Sequence, residues 1–548
     1  MDASRPRRWI ASCTGAARCV LFASLGVACG VLFGGPANGQ ETQAESDRLN
    51  VLLLTVDCLR PDHLSLHGYA RPTSPNLDAF ARDAWVFENA FATSSWTSPG
   101  VVSMLTGYYP PVHAQNAKHS YYDEGLSSAL RALVEAGYVT YGTGARGPNY
   151  GGIGLQVKAV PRGDFEVFVR ARAAERANAQ EPRPFFAWLH TREPHLPYRP
   201  TPANAGRFAE DVPDSPGVAA VREHHFILRD PTVDVPYEHP GAVRFQPGDA
   251  EAIRALYDET VRDADDHLGR TFRALSETGL LEQTIVIVSA DHGEELLEHG
   301  WIGHASTGYD GKLTDELVRI PLIVRVPGLG GGRSDALVQG VDLMPSLLEW
   351  LGLAGSFDPP LQGVSWVPLT DGRRRWVREH VFMQTTRKGW TTPLDEMPKR
   401  VTAVRDSTRK LVWFPAEGDE PARMEAYDLQ ADPGEQRAVF AVDPERFRDL
   451  RRARSEWDAR NLLAARRLLM PSGRAHAVSV HEALAEGDTV AALDAWRRFF
   501  MLHRTWGAEE APFYADDASG GEWRALHRET TQALSEALSA EAGGGPAD

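Results

Sequence analysis

A large, mostly parallel α/β sheet sandwiched by helices is the fold class the chain predicts, because strand-like apolar runs alternate with helix-like segments from residue 49 onward. Two of those runs end abruptly in metal-ligand side chains: NVLLLTV stops at Asp57, and TIVIVSA stops at Asp291 and His292. Beyond about residue 370 the runs shorten between turn signals, which predicts a smaller C-terminal antiparallel sheet, and a helical C-terminal extension follows.

In order, the pattern predicts a first strand over 50–56, a helix over 75–84, a strand over 86–91 and a helix over 99–106. A helix over 124–136, a strand over 138–143 and a buried strand over 184–190 continue the alternation. Residues 200–247 are Pro-rich with little periodicity, the composition of a surface insertion or lid. A long amphipathic helix over 249–279 leads to strands at 284–290 and 320–326. RVTAVRD, KLVWFP and EAYDL supply the antiparallel strands, and EALAEGDTVAALDAWRRFFMLH has the pattern of a helical hairpin. The expected divisions are a main domain at 49–370, a small α+β subdomain at 371–460, a helical extension at 461–540 and a disordered tail at 541–548.

Lys and Arg total 58 against 74 Asp and Glu, a net charge of −16 without any basic run, so no nucleic-acid partner is expected. Residues 1–39 differ from the body. Arg5, Arg7 and Arg8 precede an uncharged run from Cys19 to Gly35, the layout of an export signal, with Ala37 and Gly39 offering a cleavage site before Gln40. That run nearly suffices to span a bilayer, so a retained membrane anchor is the second reading, and lipidation at Cys29 the weaker third. All three put the globular part, after a polar linker at 40–48, in the periplasm or outside the cell. Cys58 is the single cysteine of the body, so stability there must come from packing rather than a disulfide.

In open α/β sheets, ligands bind beyond the carboxyl ends of the strands, where Asp57, Asp291 and His292 are expected to meet. The plainer reading is that each Asp caps the following turn. Between these strands, Thr97 and Ser98 precede Pro99, which predicts a helix start. There an oxygen nucleophile would have the positive end of the helix dipole and free N–H groups beside it, both favouring an anionic substrate; taken alone, Thr97 and Ser98 read first as N-caps, and the company of Asp57, Asp291 and His292 favours the nucleophile.

Asp57 with LRPDH, the segment Thr97 to Pro110, PHLPY at His195, SADHGEE with EHG at 298–300, DELVRIPLIV at 315–324 and AYDLQADPGEQ at 426–436 together resemble the sulfatase family of the alkaline phosphatase superfamily of metal-dependent ester hydrolases. The resemblance runs in unbroken order over roughly 49–460 and implies a sulfatase-like fold for the main domain. It also implies one divalent metal ion (Mn²⁺, Zn²⁺, Mg²⁺ or Ca²⁺) held by Asp57, Asp291, His292 and Thr97, with Thr97 as nucleophile. His195 and His304 match substrate-contacting positions and are candidate general acids, and Lys312 is a further candidate substrate contact.

The departures from the family bear on the substrate. Sulfatases carry Cys or Ser, any residue, Pro, any residue and Arg, so that the first becomes formylglycine; this chain reads Thr97, Ser98, Pro99, Gly100, Val101. Threonine cannot be oxidised to that aldehyde, so no formylglycine is expected. Cys58 interrupts the usual Asp pair, and Ala145 and Gly147 replace a Lys and a His, leaving Arg146 as the candidate anion contact. A Thr nucleophile with Asp-His resembles the superfamily's phosphodiesterases, phosphonate hydrolases and phospho-group transferases. The expected activity is therefore hydrolysis of a small phosphate or phosphonate ester. Sulfuric ester hydrolysis, head-group transfer among envelope lipids or glycans, and metal binding without catalysis are the alternatives.

Overall fold

The computed structural model describes residues 48–113, 115, 129–143, 158–160, 165–209, 212–224, 228–232, 241–304, 311–357, 359–387, 399–416, 421–506 and 528–538. The export segment, most of the linker, the C-terminal tail and Arg146 lie outside the described residues. No described helix is long and apolar enough to cross a membrane.

Eight strands form the central sheet: β1 (Asn50–Val56), β2 (Trp85–Phe91), β3 (Val139–Thr143), β4 (Lys158–Val160), β5 (Phe185–Thr191), β7 (Thr284–Ser289), β10 (Arg319–Arg325) and β11 (Gly332–Gln339), in the order β11-β2-β10-β7-β1-β5-β3-β4. The intervening β6 (Leu228–Arg229), β8 (Glu295–Leu296) and β9 (Trp301–Gly303) make a small separate sheet. From β7 to β4 all neighbours are parallel, and every residue of β1, β5 and β7 is buried, as expected for central strands covered on both faces.

β10 runs antiparallel to both its neighbours, so the sheet is mixed. A parallel return needs a crossover of a dozen or more residues, usually a helix. The described part of the path from β7 to β10 carries only the β8–β9 ribbon and a single helical turn, Asp315–Val318, which brings the chain back in the opposite direction.

α1 (Pro75–Phe80), α2 (Thr97–Thr106), α3 (Phe165–Asn178), α4 (Asp249–Glu277) and α5 (Leu343–Trp350) accompany the large sheet. α4 packs on α1 and α3, with Phe272 stacking on Phe80 of α1 at 4.1 Å between ring centroids, and buries Leu256, Leu268 and Leu275; burying such side chains stabilises the fold by about 1.5–3 kcal/mol each. Within the Pro-rich region the structure places a short helix, Pro216–Glu223, capped by Ser215, whose Val218 and Val221 reach the main core.

The second sheet, β12 (Val381–Arg387), β13 (Lys399–Arg405), β14 (Arg409–Phe414) and β15 (Arg423–Asp428), is antiparallel throughout. α6 (Arg448–Ala485) packs on it with Leu450 and Trp457, Trp457 stacking on Phe382 at 5.4 Å between ring centroids, and runs unbroken through residue 460. Gly487, at φ +75°, turns the chain into α7 (Thr489–Trp506), completing the expected hairpin.

Candidate active site

Register decides where the ligand residues emerge. Thr55 of β1 lies beside His190 of β5 and Ser289 of β7, so the three strands end level with one another. Two positions beyond Thr55 and Ser289 stand Asp57 and Asp291, the latter followed by His292, and one carboxylate oxygen of each Asp and a His292 ring nitrogen lie within 4.8 Å of one another. His292 Nε2 is 3.5 Å from Asp57 Oδ1 and 3.5 Å from Asp291 Oδ2. Thr97, the first residue of α2, places Oγ1 3.2 Å from the same Nε2. Asp57, Thr97, Asp291 and His292 are thus brought together.

Two close approaches fix that arrangement. A Cβ on Gly100 would lie 2.5 Å from the main-chain oxygen of Asp291, so glycine lets the first turn of α2 rest against the end of β7. A Cβ on Gly293 would lie 2.0 Å from Glu316 O, and the Gly293 N–H donates to Leu317 O at 2.8 Å.

The donor set fits a divalent cation. His292 Nδ1 donates to Gly293 O at 2.8 Å, which leaves the Nε2 lone pair facing the carboxylates. Asp291 is fully buried, and its Oδ2 accepts no hydrogen bond among the described residues. Burial, and then the neighbouring Asp57 charge, push the Asp291 carboxyl pKa up. Burial also acts against the Asp57 anion, yet His195, His190 and His292 outweigh it and hold that carboxyl well below the usual range. Two buried carboxylates competing for charge, with an aimed imidazole, form the mixed oxygen and nitrogen set that suits such ions.

His190, which no motif in the sequence marks, joins the site from the end of β5. Trp188 Nε1 donates to Thr55 Oγ1 at 2.8 Å, and that hydroxyl lies 2.8 Å from His190 Nδ1. If Thr55 donates onward, the His190 proton sits on Nε2, 3.6 Å from Asp57 Oδ2. The available signal is a histidine at the end of the buried strand expected over 184–190.

His195 and His304 also converge here. Their rings meet edge to face at 4.9 Å between centroids, and His304 lies 4.6 Å from the His292 ring. His195 Nδ1 lies 2.6 Å from Leu196 O; burial opposes its protonation, but Asp57 and Glu294 raise its pKa above the ordinary value. Burial lowers that of His304. Lys312 is placed differently: its Nζ pairs with buried Glu295 Oε1 at 3.0 Å and lies 5.5 Å from the Trp301 ring centroid. Arg146 falls outside the described residues.

Comparison with known proteins follows this geometry. The family described as Sulfatase matches residues 49–353, and the family described as N-sulphoglucosamine sulphohydrolase, C-terminal, matches 298–453. The multifunctional alkaline phosphatase superfamily protein PehA of Trinickia caryophylli is 28% identical over 480 residues, covering 71% of this chain and 90% of the relative. Human iduronate 2-sulfatase is 29% identical over 399 residues, covering 61% of this chain and 69% of the relative. Among solved structures, the phosphonate monoester hydrolase of Agrobacterium radiobacter superposes with a TM-score of 0.56 at 21% identity, over 77% of this chain and 97% of that one, which is a likeness of fold. With more than half its length matched, this chain belongs to the sulfatase family of hydrolases, within the alkaline phosphatase superfamily.

Proposed function

We propose that the chain is an exported, metal-dependent hydrolase of phosphate or phosphonate esters that uses Thr97 as its nucleophile. The observation that carries this reading is Thr97 Oγ1 at the start of α2, 3.2 Å from His292 Nε2, in a segment that reads Thr-Ser-Pro-Gly-Val. A threonine there offers an alcohol and no route to an aldehyde hydrate, and Val101 is buried where formylglycine-type sulfatases carry Arg. Asp57, Asp291, His292 and Thr97 would hold the cation. When bound, such an ion supplies neutralising charge for a non-bridging ester oxygen and lowers the proton affinity of an alcohol.

The chain's own residues account for the remaining steps. Thr97 gives up its hydroxyl proton to water and attacks phosphorus, the positive end of the α2 dipole favours the anionic ester, and a covalent phosphothreonine forms as the alcohol departs. His195 is the proton donor favoured for the departing oxygen, since its carboxylate neighbours promote protonation. Water then releases the phosphate from Thr97. The names of PehA and of the phosphonate monoester hydrolase are consistent with phosphorus chemistry. Iduronate 2-sulfatase favours sulfuric esters as the second reading.

The test compares the full chain, loaded with Mn²⁺ or Zn²⁺, on chromogenic phosphodiester, phosphonate, phosphomonoester and sulfate esters. Thr97→Ala is expected to lower kcat/KM on the phosphorus ester by at least about 10³-fold. Undiminished turnover by Thr97→Ala, or turnover of the sulfate ester alone, would overturn the assignment.

A further inference from the structure

Beside the Asp57, Asp291 and His292 cluster stands a second group of ligand-type side chains. Cys58 Sγ lies 3.8 Å from His304 Nδ1 and 3.9 Å from His292 Nδ1, and the sulfur and one ring nitrogen of each histidine lie within 4.8 Å of one another. His304 Nδ1 is in turn 3.7 Å from Glu294 Oε1. Glu294 is completely buried, and neither of its carboxylate oxygens accepts a hydrogen bond among the described residues. A buried carboxylate in that condition is costly unless it is paired or binds a cation.

The spacing approaches that of a tetrahedral site. Zinc–sulfur and zinc–nitrogen bonds of about 2.3 and 2.05 Å give a sulfur to nitrogen edge of about 3.6 Å, and a nitrogen to oxygen edge of about 3.3 Å. The two edges that meet at His304 Nδ1, 3.8 Å to Cys58 Sγ and 3.7 Å to Glu294 Oε1, exceed these by a few tenths of an ångström. His292 is not needed: its Nδ1 donates to Gly293 O, and its Nε2 faces the other cluster. Cys58 adopts φ +61°, a conformation unfavourable for a residue with a Cβ, as it enters this cluster.

We propose that Cys58, His304 and Glu294 form a second cation site, thiolate-containing and suited to Zn²⁺, beside the centre made by Asp57, Thr97, Asp291 and His292. A thiolate, an imidazole and a carboxylate leave one of four tetrahedral positions open, and the soft sulfur separates this site from its oxygen-rich neighbour. Coordination exchanges the thiol proton for the cation, and the proton leaves to solvent. With His304 so engaged, His195 remains as the proton donor. The proposal takes the neighbouring centre as a cation site but does not depend on Thr97 being the nucleophile.

The experiment uses the full chain carrying Cys13→Ser, Cys19→Ser and Cys29→Ser, stripped with a chelator and titrated with Co²⁺ under anaerobic conditions. Two equivalents should bind, with a thiolate-to-cobalt charge-transfer band in the near ultraviolet. Cys58→Ser should abolish the band and one equivalent, while Glu294→Gln should weaken the band-forming site at least tenfold. Asp291→Asn should cost the other equivalent and leave the band. Circular dichroism checks folding, and Glu294→Gln still reports if Cys58→Ser does not fold.

One equivalent without a band overturns the proposal. So does one equivalent whose band disappears in Asp291→Asn, since a single ion would then be using Cys58 together with Asp57, whose Oδ1 is 3.3 Å from the sulfur. Two equivalents retained by Cys58→Ser also overturn it. None of these readings requires turnover, so failure of the nucleophile assignment would be seen separately.

Discussion

Lys410→Met removes the cation from a buried charge cluster that joins the small sheet to the segment entering β10. Lys410, on β14, is completely buried and donates through Nζ to Asp315 Oδ1 at 2.5 Å, Glu435 Oε1 at 2.6 Å and Leu313 O at 3.0 Å. Glu435 also accepts from the Asp315 N–H at 2.7 Å, and Arg405 pairs with the other Asp315 oxygen. Burial pushes the Glu435 carboxyl up, with Lys410 the chief opposing influence. Removing the lysine leaves Glu435 buried beside Asp315 with no cation of its own, the circumstance in which breaking a buried pair costs about 3–5 kcal/mol. With an unfolding entropy of roughly 2.1 cal/mol/K per residue over about 400 residues, the melting temperature should fall by about 4–6 °C. Differential scanning calorimetry at pH 7.5 measures this. Lys410→Met with Glu435→Met should recover part of the loss, because both charges then leave while Asp315 keeps Arg405. A single variant that melts within 1 °C of the parent, or a double variant less stable than Lys410→Met alone, would refute the reasoning.

Gly100→Ala gains up to about 1 kcal/mol of helix propensity but places its Cβ 2.5 Å from Asp291 O, so α2 must shift and carry Thr97 with it. A fall of about 10²-fold in kcat/KM with an unchanged circular dichroism spectrum is expected; full activity would show that the contact relaxes elsewhere. Burial lowers the His113 pKa to about 3, and its Nδ1 accepts from the Gln115 N–H at 3.2 Å. The unfolded chain takes up this proton near pH 6.5 while the folded chain does not. The contribution to stability is therefore complete above pH 6.5 and declines as pH falls toward 3, by about 1.4 kcal/mol per unit. Urea unfolding at pH 7.5 and 5.0 should accordingly show about 2 kcal/mol less acid sensitivity in His113→Gln than in the parent; equal sensitivity would discount the shift. Chelation should abolish ester turnover and lower the melting temperature, since an ion at 100 times its dissociation constant contributes about 2.7 kcal/mol. Readdition of Mn²⁺ or Zn²⁺ should restore both, and a chelator-insensitive protein would argue against the cation site.

The sequence by itself determined which segments become central strands. A run such as TIVIVSA, short and β-branched, suits the middle of a sheet covered on both faces, and its abrupt ending marks the edge at Asp291 and His292. It determined the Asp57, Asp291 and His292 cluster for the same reason, and a helix start near Pro99, which the structure places two residues earlier, at Thr97. The antiparallel sense of β10 was not legible, because side-chain alternation is the same in either strand direction; the path from β7, which carries only the β8–β9 ribbon and one helical turn among the described residues, decided it. His190 lay hidden inside an apolar run until the register of β5 against β1 set its ring beside Asp57. Lys312 and Glu295 are 17 positions apart, and Lys410, Asp315 and Glu435 are drawn from three segments. Hydrophobic periodicity is a property of neighbours along the chain, whereas the pairing of buried charges depends on which distant segments packing brings within hydrogen-bond reach, and that belonged to the tertiary structure alone.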